Sequence, residues 1–522
     1  MKALEVSGCR PSLRVVALLG LSAFVAGCQP AGQSAEPAKE AASPTGILEE
    51  GPYELVLTGG RVMDPESGTD AVLNVGVREG RIVALTADPI EGAETLDVEG
   101  FVVAPGFVDL HAHGQDEVSA RLMALDGVTV QLDLEMGAFP VTTLIEQRRG
   151  EAVVHFGVSV SHPAARVALF EDELVGHVAT QPPDAPALST ENRSTQAEAT
   201  PEEQGELLAL LDEGLRQGGL GFGLGIVYTP GASRLEILRV FQLAARRGVP
   251  IFVHMRGGAD VGPIGDVQEM LADAAATGAA LHIVHLNSST DELAPQAMEM
   301  IRGARERGLD VTTEAYPYTA GSSLIQSALF DAWVDLPEEE YQKLEWPSTG
   351  ERLTRASFDR YRQEGGWVIM HTREEETNTW VTAQPDIMVA SDGIPFLYGP
   401  AHPRGSGTHA RVLGRYARDK GALSLMDALA KMTIQPAKRL EDFAPLMAHK
   451  GRASLGADAD LTVFDPETVI DRATYSHGDT PSEGIEHVLV EGTFVVRGGE
   501  FQEGVFPGKA ILSEVAVDAP TP

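Results

Sequence analysis

The stretch Ala104-Pro-Gly-Phe-Val-Asp-Leu-His-Ala-His-Gly114 decides the interpretation of the chain. Its apolar residues predict a short buried strand over 107–110, which leads directly into two histidines. Because side chains alternate across a strand, Asp109, His111 and His113 are expected on one face. Two imidazoles at the end of one strand form half of a metal site, although such a pair also occurs as ordinary buried or surface histidines.

Length and composition describe a large globular protein. The chain has 522 residues, of which 43% are hydrophobic, and this is enough for one large domain with a smaller one. The net charge of −36 argues against nucleic acid as a partner, because a phosphate backbone would be repelled. The only cysteines are Cys9 and Cys28, so we expect no disulfide and no thiolate chemistry in the folded part.

The first residues predict an envelope location. Basic residues precede an apolar run over 15–25, a pattern typical of a signal peptide, here assigned to residues 1–27. Val25-Ala-Gly-Cys28 resembles a bacterial lipobox, which implies a lipid anchor on Cys28 at the periplasmic face of the outer membrane. An ordinary secreted precursor is the alternative. Residues 28–52 are rich in Ala, Glu and Pro, and they predict a flexible linker.

The rest of the chain divides into strand-rich flanks and an α/β middle. Short strand patterns over 53–104 and 450–514 predict one small β-sandwich built from both flanks. The middle, 105–449, alternates strands and helices and predicts a TIM-like (β/α)₈ barrel, with an inserted helical lobe over about 325–385. The eight barrel strands are predicted at 106–112, 128–135, 153–160, 219–227, 250–255, 280–286, 310–316 and 387–391.

Three further metal-binding side chains are predicted at the ends of these strands. His254 ends the fifth strand and Asp392 ends the eighth. In the sixth strand alternation favours His285, whereas His282 is assigned to the other face as a buried structural histidine. Because a barrel brings its strand ends to one mouth, imidazoles and a carboxylate together predict a site for a divalent ion.

The second strand supplies another carboxylate. In residues 128–137 the side chains of Thr129, Gln131, Asp133 and Glu135 alternate with apolar ones, so the polar set should line the barrel interior. Glu135 is nearest the mouth and could bridge two metal ions. The alternative is an acid that supports the ligands or contacts the substrate.

The ordered set of motifs closely resembles the amidohydrolase superfamily and, within it, the N-acyl-D-amino-acid deacylases. The resemblance spans about residues 53–510. It rests on Pro105-Gly-Phe-Val-Asp-Leu-His-Ala-His113, Val253-His-Met-Arg256, Ile283-Val-His285, Glu314-Ala-Tyr-Pro-Tyr-Thr-Ala-Gly-Ser322, Ser391-Asp-Gly-Ile-Pro395 and His402-Pro-Arg404.

This resemblance implies a centre for one or two divalent ions, with Zn²⁺ as the expected metal. One ion would be held by His111, His113 and Asp392, and the other by His254 and His285. Members of this branch use a cysteine after the second strand as the bridging ligand. This chain has Met136 there, and it has no lysine on the fourth strand, the bridging residue of many other relatives. The bridge is therefore assigned to Glu135.

The resemblance also implies hydrolysis of a C–N amide bond by a metal-activated water, with Asp392 accepting and returning the proton. Arg404 and Tyr318 match two positions of a cluster that binds the substrate carboxylate, and Asn287 stands where a lysine is usual. Further side chains expected at the mouth are Tyr316, Tyr228 and His162.

Three functions follow from these residues. The first is deacylation of N-acyl-D-amino acids, which are small-molecule amides. The second is action of the same site on a dipeptide or on a cyclic amide such as a hydantoin or imide. The third is a non-catalytic envelope lipoprotein that binds a ligand in a degenerate barrel. The sequence leaves the oligomeric state open.

Overall fold

The computed structural model describes residues 45–182, 189–257 and 261–515. The predicted signal peptide, Cys28 and most of the predicted linker lie outside the described residues. No helix in the described ranges combines the length and the apolar character needed to cross a bilayer.

Eight parallel strands form a nearly closed barrel, and this confirms the predicted fold class. The barrel closes where Ala112 bridges to Gly393 and the Ser391 amide donates to Asp109 Oδ1 at 3.1 Å. Barrel strands 1 to 8 are Phe107–Asp109, Val128–Phe139, His155–Ser161, Phe222–Gly225, Ile251–His254, Leu281–Ile283, Val311–Ala315 and Met388–Val389, and Gly176–His177 pairs antiparallel with the end of barrel strand 2.

Helices surround the barrel because alternate strand residues are apolar. Ile251 and Val253 of strand 5, for example, are fully buried in one cluster with Val240 and Phe241 of a neighbouring helix. The α-helices are Glu117–Leu125, Val141–Arg148, His162–Glu171, Arg193–Gln196, Pro201–Arg216, Arg234–Arg247, Gly262–Thr277, Leu286–Thr290, Ala294–Arg305, Glu338–Tyr341, Arg355–Glu364, Glu375–Ala383, Arg404–Arg411, Leu425–Met432 and Ile434–Leu440. Single-turn and irregular helices span Val178–Thr180, Ile226–Tyr228, Asp291–Leu293, Ala328–Trp333, Val412–Asp419 and Pro445–His449.

Both flanks of the barrel build one ten-stranded, mostly antiparallel sheet. The two flanks join where Val102–Pro105 pairs antiparallel with Leu461–Phe464. The sheet has its own apolar cluster, which includes Leu57, Val75 and Leu489. Its strands are Gly46–Ile47, Tyr53–Asp64, Thr69–Arg78, Arg81–Thr86, Gly92–Asp97, Val102–Pro105, Leu461–Phe464, Ile485–Val490, Thr493–Arg497 and Glu500–Phe501.

Two predicted boundaries of this sheet domain are wrong. Gly46–Ile47 lies in the predicted linker but pairs with Arg81–Thr86, so the structured part begins earlier than residue 53. At the other end, the segment around Ile511 runs beside barrel strand 3, and the Ile511 amide donates to the Phe156 carbonyl at 2.7 Å. The completely buried Ile511 therefore anchors the chain end on the barrel.

The inserted lobe has helices as predicted, Glu338–Tyr341, Arg355–Glu364 and Glu375–Ala383, but it also has strands that the sequence did not predict. It contains a four-stranded antiparallel sheet of Ala320–Leu324, Leu344–Trp346, Glu351–Arg352 and Trp367–His371. These strands have only two to five residues, too few for alternation to mark them in the sequence. The lobe has its own apolar cluster, which includes Phe330, Tyr341, Leu344, Phe358 and Val368.

Candidate metal centre and its cavity

Two groups of metal-binding side chains meet at the carboxyl ends of the barrel strands. The first group is His111, His113, Glu135 and Asp392, and the second is Glu135, His254 and His285. Within each group the potential ligand atoms all lie within 4.8 Å of one another. All six side chains are buried except that of His254, which is 17% exposed. Glu135 belongs to both groups.

The carboxylate of Glu135 joins the two groups through different oxygen atoms. Its Oε2 lies 2.6 Å from His111 Nε2 and 3.1 Å from His113 Nε2. Its Oε1 lies 2.7 Å from His254 Nδ1 and 4.0 Å from His285 Nε2. Glu135 is thus the side chain that the two groups share, and its role as a bridging ligand stays a prediction.

Buried carboxylates orient the first two histidines. Glu314 Oε1 lies 2.6 Å from His111 Nδ1, and Asp133 Oδ2 lies 2.9 Å from His113 Nδ1. A carboxylate on one ring nitrogen fixes the tautomer that leaves the other nitrogen available to a metal. Both Nε2 atoms lie 3.4 Å from Asp392 Oδ1. Imidazole and carboxylate donors arranged in this way fit a divalent ion such as Zn²⁺.

An interruption of barrel strand 2 places Glu135 at the mouth. The pairing with strand 3 slips between Asp133 and Ala138, and Asp133 Oδ1 accepts from the amides of Met136 and Gly137 at 3.0 and 3.2 Å. Gly137 has a φ of 60°, and a Cβ atom there would lie 2.3 Å from the Ser159 carbonyl oxygen. A glycine is therefore required for the bend that aims Glu135.

Two of the proposed ligands lie in strained backbone at strand ends. His285 has a φ of 32° and Asp392 a φ of 52°, in the left-handed region that residues with a Cβ atom seldom adopt. Such strain is typical of functional sites, where the surrounding structure enforces it. In His285 the turn, not strand alternation, directs the ring to the centre.

The predicted orientation of the His282 side chain is wrong. This histidine is buried and hydrogen-bonded, but it does not point away from the centre. Its Nε2 lies 3.1 Å from Glu314 Oε2, and the other oxygen of Glu314 contacts His111. His282 therefore lies in the layer beneath the ligands and supports Glu314.

Burial and neighbouring charges set the protonation of the site. Burial, together with the charge of His254, lowers the pKa of His285 to about 3, so its ring is neutral, as a metal ligand must be. Burial alone would raise the pKa of Glu314, but His111 and His282 lower it to about 2. Burial would also raise the pKa of Asp392, but neighbouring positive charges, above all that of Arg404, lower this pKa below its usual value.

A cavity of about 230 Å³ opens on this centre. His113, Glu135, His254, His285 and Asp392 line one side of it. The inserted lobe and one nearby helix turn contribute apolar lining residues, which include Val178, Leu324, Leu329, Trp333, Trp367 and Met370.

Three of the residues predicted for substrate binding line this cavity. Arg404 does so while its guanidinium is paired with Asp392, with Nη1 2.8 Å from Oδ2. The ring of Tyr316 lies beneath the Arg404 guanidinium, 4.7 Å from Cζ to the ring centre. Tyr228 stands beside His254, with ring centres 5.3 Å apart, and its hydroxyl lies 3.1 Å from Ser323 Oγ.

The other three residues predicted for substrate binding do not line the cavity, and each has at least one polar atom bonded inside the protein. His162 pairs with Glu236 at 2.8 Å and is completely buried. Asn287 donates to the Tyr316 carbonyl at 2.8 Å and to Asn378 at 3.0 Å. The Tyr318 hydroxyl is directed to the Pro403 carbonyl, 3.4 Å away. None of the three lines the cavity.

Sequence reasoning missed Glu314 and Arg373 as residues of the site. Glu314 lies near the end of barrel strand 7, so its position was a usable signal. Arg373 follows the last strand of the lobe and lines the cavity. No local pattern marks Arg373, because only the fold of the lobe brings it to the barrel mouth.

Comparisons with known proteins place the chain in a family. No family model matches it. The N-acyl-D-glutamate deacylase of Alcaligenes xylosoxydans xylosoxydans is 30% identical over 483 residues, covering 85% of this chain and 93% of that protein. This chain belongs to the N-acyl-D-amino-acid deacylases of the amidohydrolase superfamily. The predicted resemblance is thereby confirmed.

Two further comparisons agree with this membership of the deacylase family. The D-aminoacylase of the same organism is 29% identical and covers 88% of this chain and 96% of its own length. A solved structure of N-acyl-D-glutamate deacylase from Bordetella bronchiseptica, in complex with zinc and a phosphonate mimic of the tetrahedral intermediate, superposes with a TM-score of 0.74. It is 26% identical to this chain and covers 89% of it and all of its own length.

Proposed function

We propose that this protein is a metal-dependent hydrolase that removes the acyl group from N-acyl-D-amino acids. The observation that carries the proposal is the pair of ligand groups that share Glu135 and open onto one partly apolar cavity. His111, His113 and Asp392 would hold one divalent ion, and His254 and His285 the other, with Glu135 between them. Membership of the deacylase family selects the amide bond as the bond that is cleaved.

The reaction adds one water to the amide and yields a carboxylic acid and a free amine. A bound Zn²⁺ supplies Lewis acidity, which polarises the carbonyl oxygen and lowers the pKa of a water molecule. The chain has to orient the substrate and move one proton from the water to the leaving nitrogen. The apolar side of the cavity holds the uncharged part of the substrate and excludes competing water.

Asp392 is the residue placed to move that proton. Its Oδ1 faces the space between His111 and His113, and its carboxylate is ionised at neutral pH because Arg404 lowers its pKa. An ionised carboxylate can accept a proton from the attacking water and then donate it to the departing amine. Arg404 fixes the carboxylate through two contacts, Nη1 to Oδ2 at 2.8 Å and Nη2 to Oδ1 at 2.9 Å.

A substrate panel combined with metal analysis tests the proposal. The purified protein is analysed for bound metals, stripped with a chelator and reloaded with Zn²⁺. Each form is assayed with N-acetyl-D-amino acids, their L enantiomers, D-containing dipeptides, and hydantoins or cyclic imides. We expect hydrolysis of the N-acetyl-D-amino acids, its loss on chelation and its return with Zn²⁺.

Other results of this panel would replace the proposal. Hydrolysis of cyclic amides or dipeptides alone would assign the same site to those substrates. Absence of bound metal and of any hydrolysis after reloading would indicate a binding protein with a degenerate barrel.

We also propose that the protein is a lipoprotein of the bacterial envelope, anchored through Cys28. The support is the lipobox-like Val25-Ala-Gly-Cys28 after an apolar run. Metabolic labelling with a radioactive fatty acid should label the wild-type protein and not Cys28→Ala. Equal release of both forms into the soluble periplasmic fraction would contradict the anchor.

A further inference from the structure

Arg373 carries a positive charge into the cavity from outside the barrel. It follows the lobe strand Trp367–His371, lines the cavity together with Asp392 and His285, and is only 8% exposed. The guanidinium of an arginine stays charged at any pH at which a protein is folded. A full positive charge is therefore buried next to the metal centre.

The contacts of this guanidinium are all neutral. Its Nη1 donates to Ser288 Oγ at 3.1 Å, and its Nη2 donates to the Tyr316 hydroxyl at 2.8 Å and to the Tyr318 carbonyl at 3.4 Å. Its Nε is buried and has no hydrogen-bond partner. Within the described ranges, no carboxylate forms a salt bridge with it. Burial of a charge that no carboxylate contacts directly is costly, and a bound anion would offset part of that cost.

Arg404 differs from Arg373 in this respect. Both guanidinium carbons lie close to the Tyr316 ring, that of Arg404 at 4.7 Å and that of Arg373 at 5.0 Å from its centre. Arg404, however, is paired through both terminal nitrogens with Asp392. Of these two cavity arginines, only Arg404 forms a salt bridge, whereas the carboxylate of Asp291 acts on Arg373 from beyond salt-bridge distance.

Tyr316 packs against both this charge and one of the proposed metal ligands. On one side its ring contacts the guanidinium of Arg373, and on another it faces the ring of His285, with ring centres 6.4 Å apart. In an N-acyl-amino acid the α-carboxylate carbon is three covalent bonds from the carbonyl carbon that is attacked. The side chain of Tyr316 contacts both the guanidinium of Arg373 and the ring of His285, and this arrangement suits such a carboxylate.

We propose that Arg373 binds the α-carboxylate of the substrate and that the inserted lobe therefore selects for acids. This inference rests on the proposed deacylase function. The family resemblance places a cation at position 287, where this chain has an asparagine that is turned away from the cavity. Arg373 supplies a cation from a different element, the lobe, and its Nη1, which donates only to Ser288 Oγ, has a second hydrogen for a carboxylate.

Arg373→Gln and Arg373→Lys test the assignment in the Zn²⁺-loaded enzyme. Each variant is assayed with N-acetyl-D-leucine and with N-acetyl-D-leucinamide, which lacks the negative charge. We expect Arg373→Gln to raise KM for the acid about 10- to 100-fold, with kcat changed less than about threefold and the amide unaffected. Arg373→Lys should recover part of the loss. Arg360→Gln, an exposed lobe arginine (side chain 53% exposed), is the matched control and should resemble wild type.

The outcomes separate this inference from the proposed function. An equal change of KM for the acid and the amide, or no change for either, would overturn the role of Arg373. N-acetyl-D-glutamate is assayed as a third substrate, and an effect confined to it would also overturn the role, because the side-chain carboxylate would then be the group bound. If wild type hydrolyses no N-acetyl-D-amino acid of the panel, the proposed function fails, and calorimetric binding of N-acetyl-D-leucine to wild type and Arg373→Gln still decides the contact.

Discussion

The barrel residues and the lobe residues that line the cavity differ in polarity and in how their side chains are held. On the barrel side, polar side chains from strand ends are buried, and each is fixed by a second buried partner, as Glu314 fixes His111. On the lobe side, side chains such as Trp333 and Met370 offer apolar surface, and the guanidinium of Arg373 forms no salt bridge with any described residue.

This difference separates the side chains that would hold the metal from those that would select the substrate. A metal centre needs ligand atoms held to within fractions of an ångström, which rigid strand ends and supporting carboxylates provide. Selection of a substrate needs a surface that can vary without disturbing those ligands. An insertion with its own apolar cluster meets this need, because changes within it leave the barrel intact.

The largest effect is expected at the catalytic carboxylate. Asp392→Asn keeps the shape of the side chain but cannot accept a proton, so kcat should fall by about 100- to 10,000-fold. Steady-state kinetics with N-acetyl-D-leucine measure the loss, and metal analysis shows how much of it follows from a lost ligand. Activity within tenfold of wild type would assign proton transfer to another group.

An intermediate effect is expected one layer below the ligands. Glu314→Gln removes the charge that orients His111, so metal affinity should fall about 10- to 100-fold, as measured by competition with a chelator. The matched control is Glu345→Gln, which breaks a comparable contact of 2.9 Å with His371 in the lobe. If both variants bound metal as wild type does, the barrel side would not depend on its supporting layer.

The smallest effect is expected on the lobe side. Trp333→Ala removes apolar surface from the cavity, so KM for N-acyl-D-leucine substrates should rise about tenfold, with metal content unchanged. Trp346→Ala removes a lobe tryptophan that stacks on Tyr361 and serves as the control. A loss of metal in Trp333→Ala would break the separation between the two sides.

The sequence predicted the barrel side much better than the lobe side. Histidines and carboxylates at strand ends stand out because period-two alternation and the parallel topology place them at one mouth, as for His111 and His113. The lobe has strands of two to five residues, so neither its sheet nor the position of Arg373 could be read from a pattern. Asn287 and His162 were misplaced because hydrogen-bonding partners distant in sequence, Asn378 and Glu236, hold them away from the cavity.

The sequence by itself determined the barrel, the joining of both flanks in one sheet, the family and the types of the metal ligands. These follow from local periodicity and ordered motifs, which need no knowledge of distant contacts. Only the tertiary structure decided that Glu135 faces both ligand groups, that His285 reaches the centre through a left-handed turn, and that Arg373 lines the cavity without a salt bridge to any described residue. Each of these depends on packing between segments far apart in the chain, and no local pattern encodes such packing.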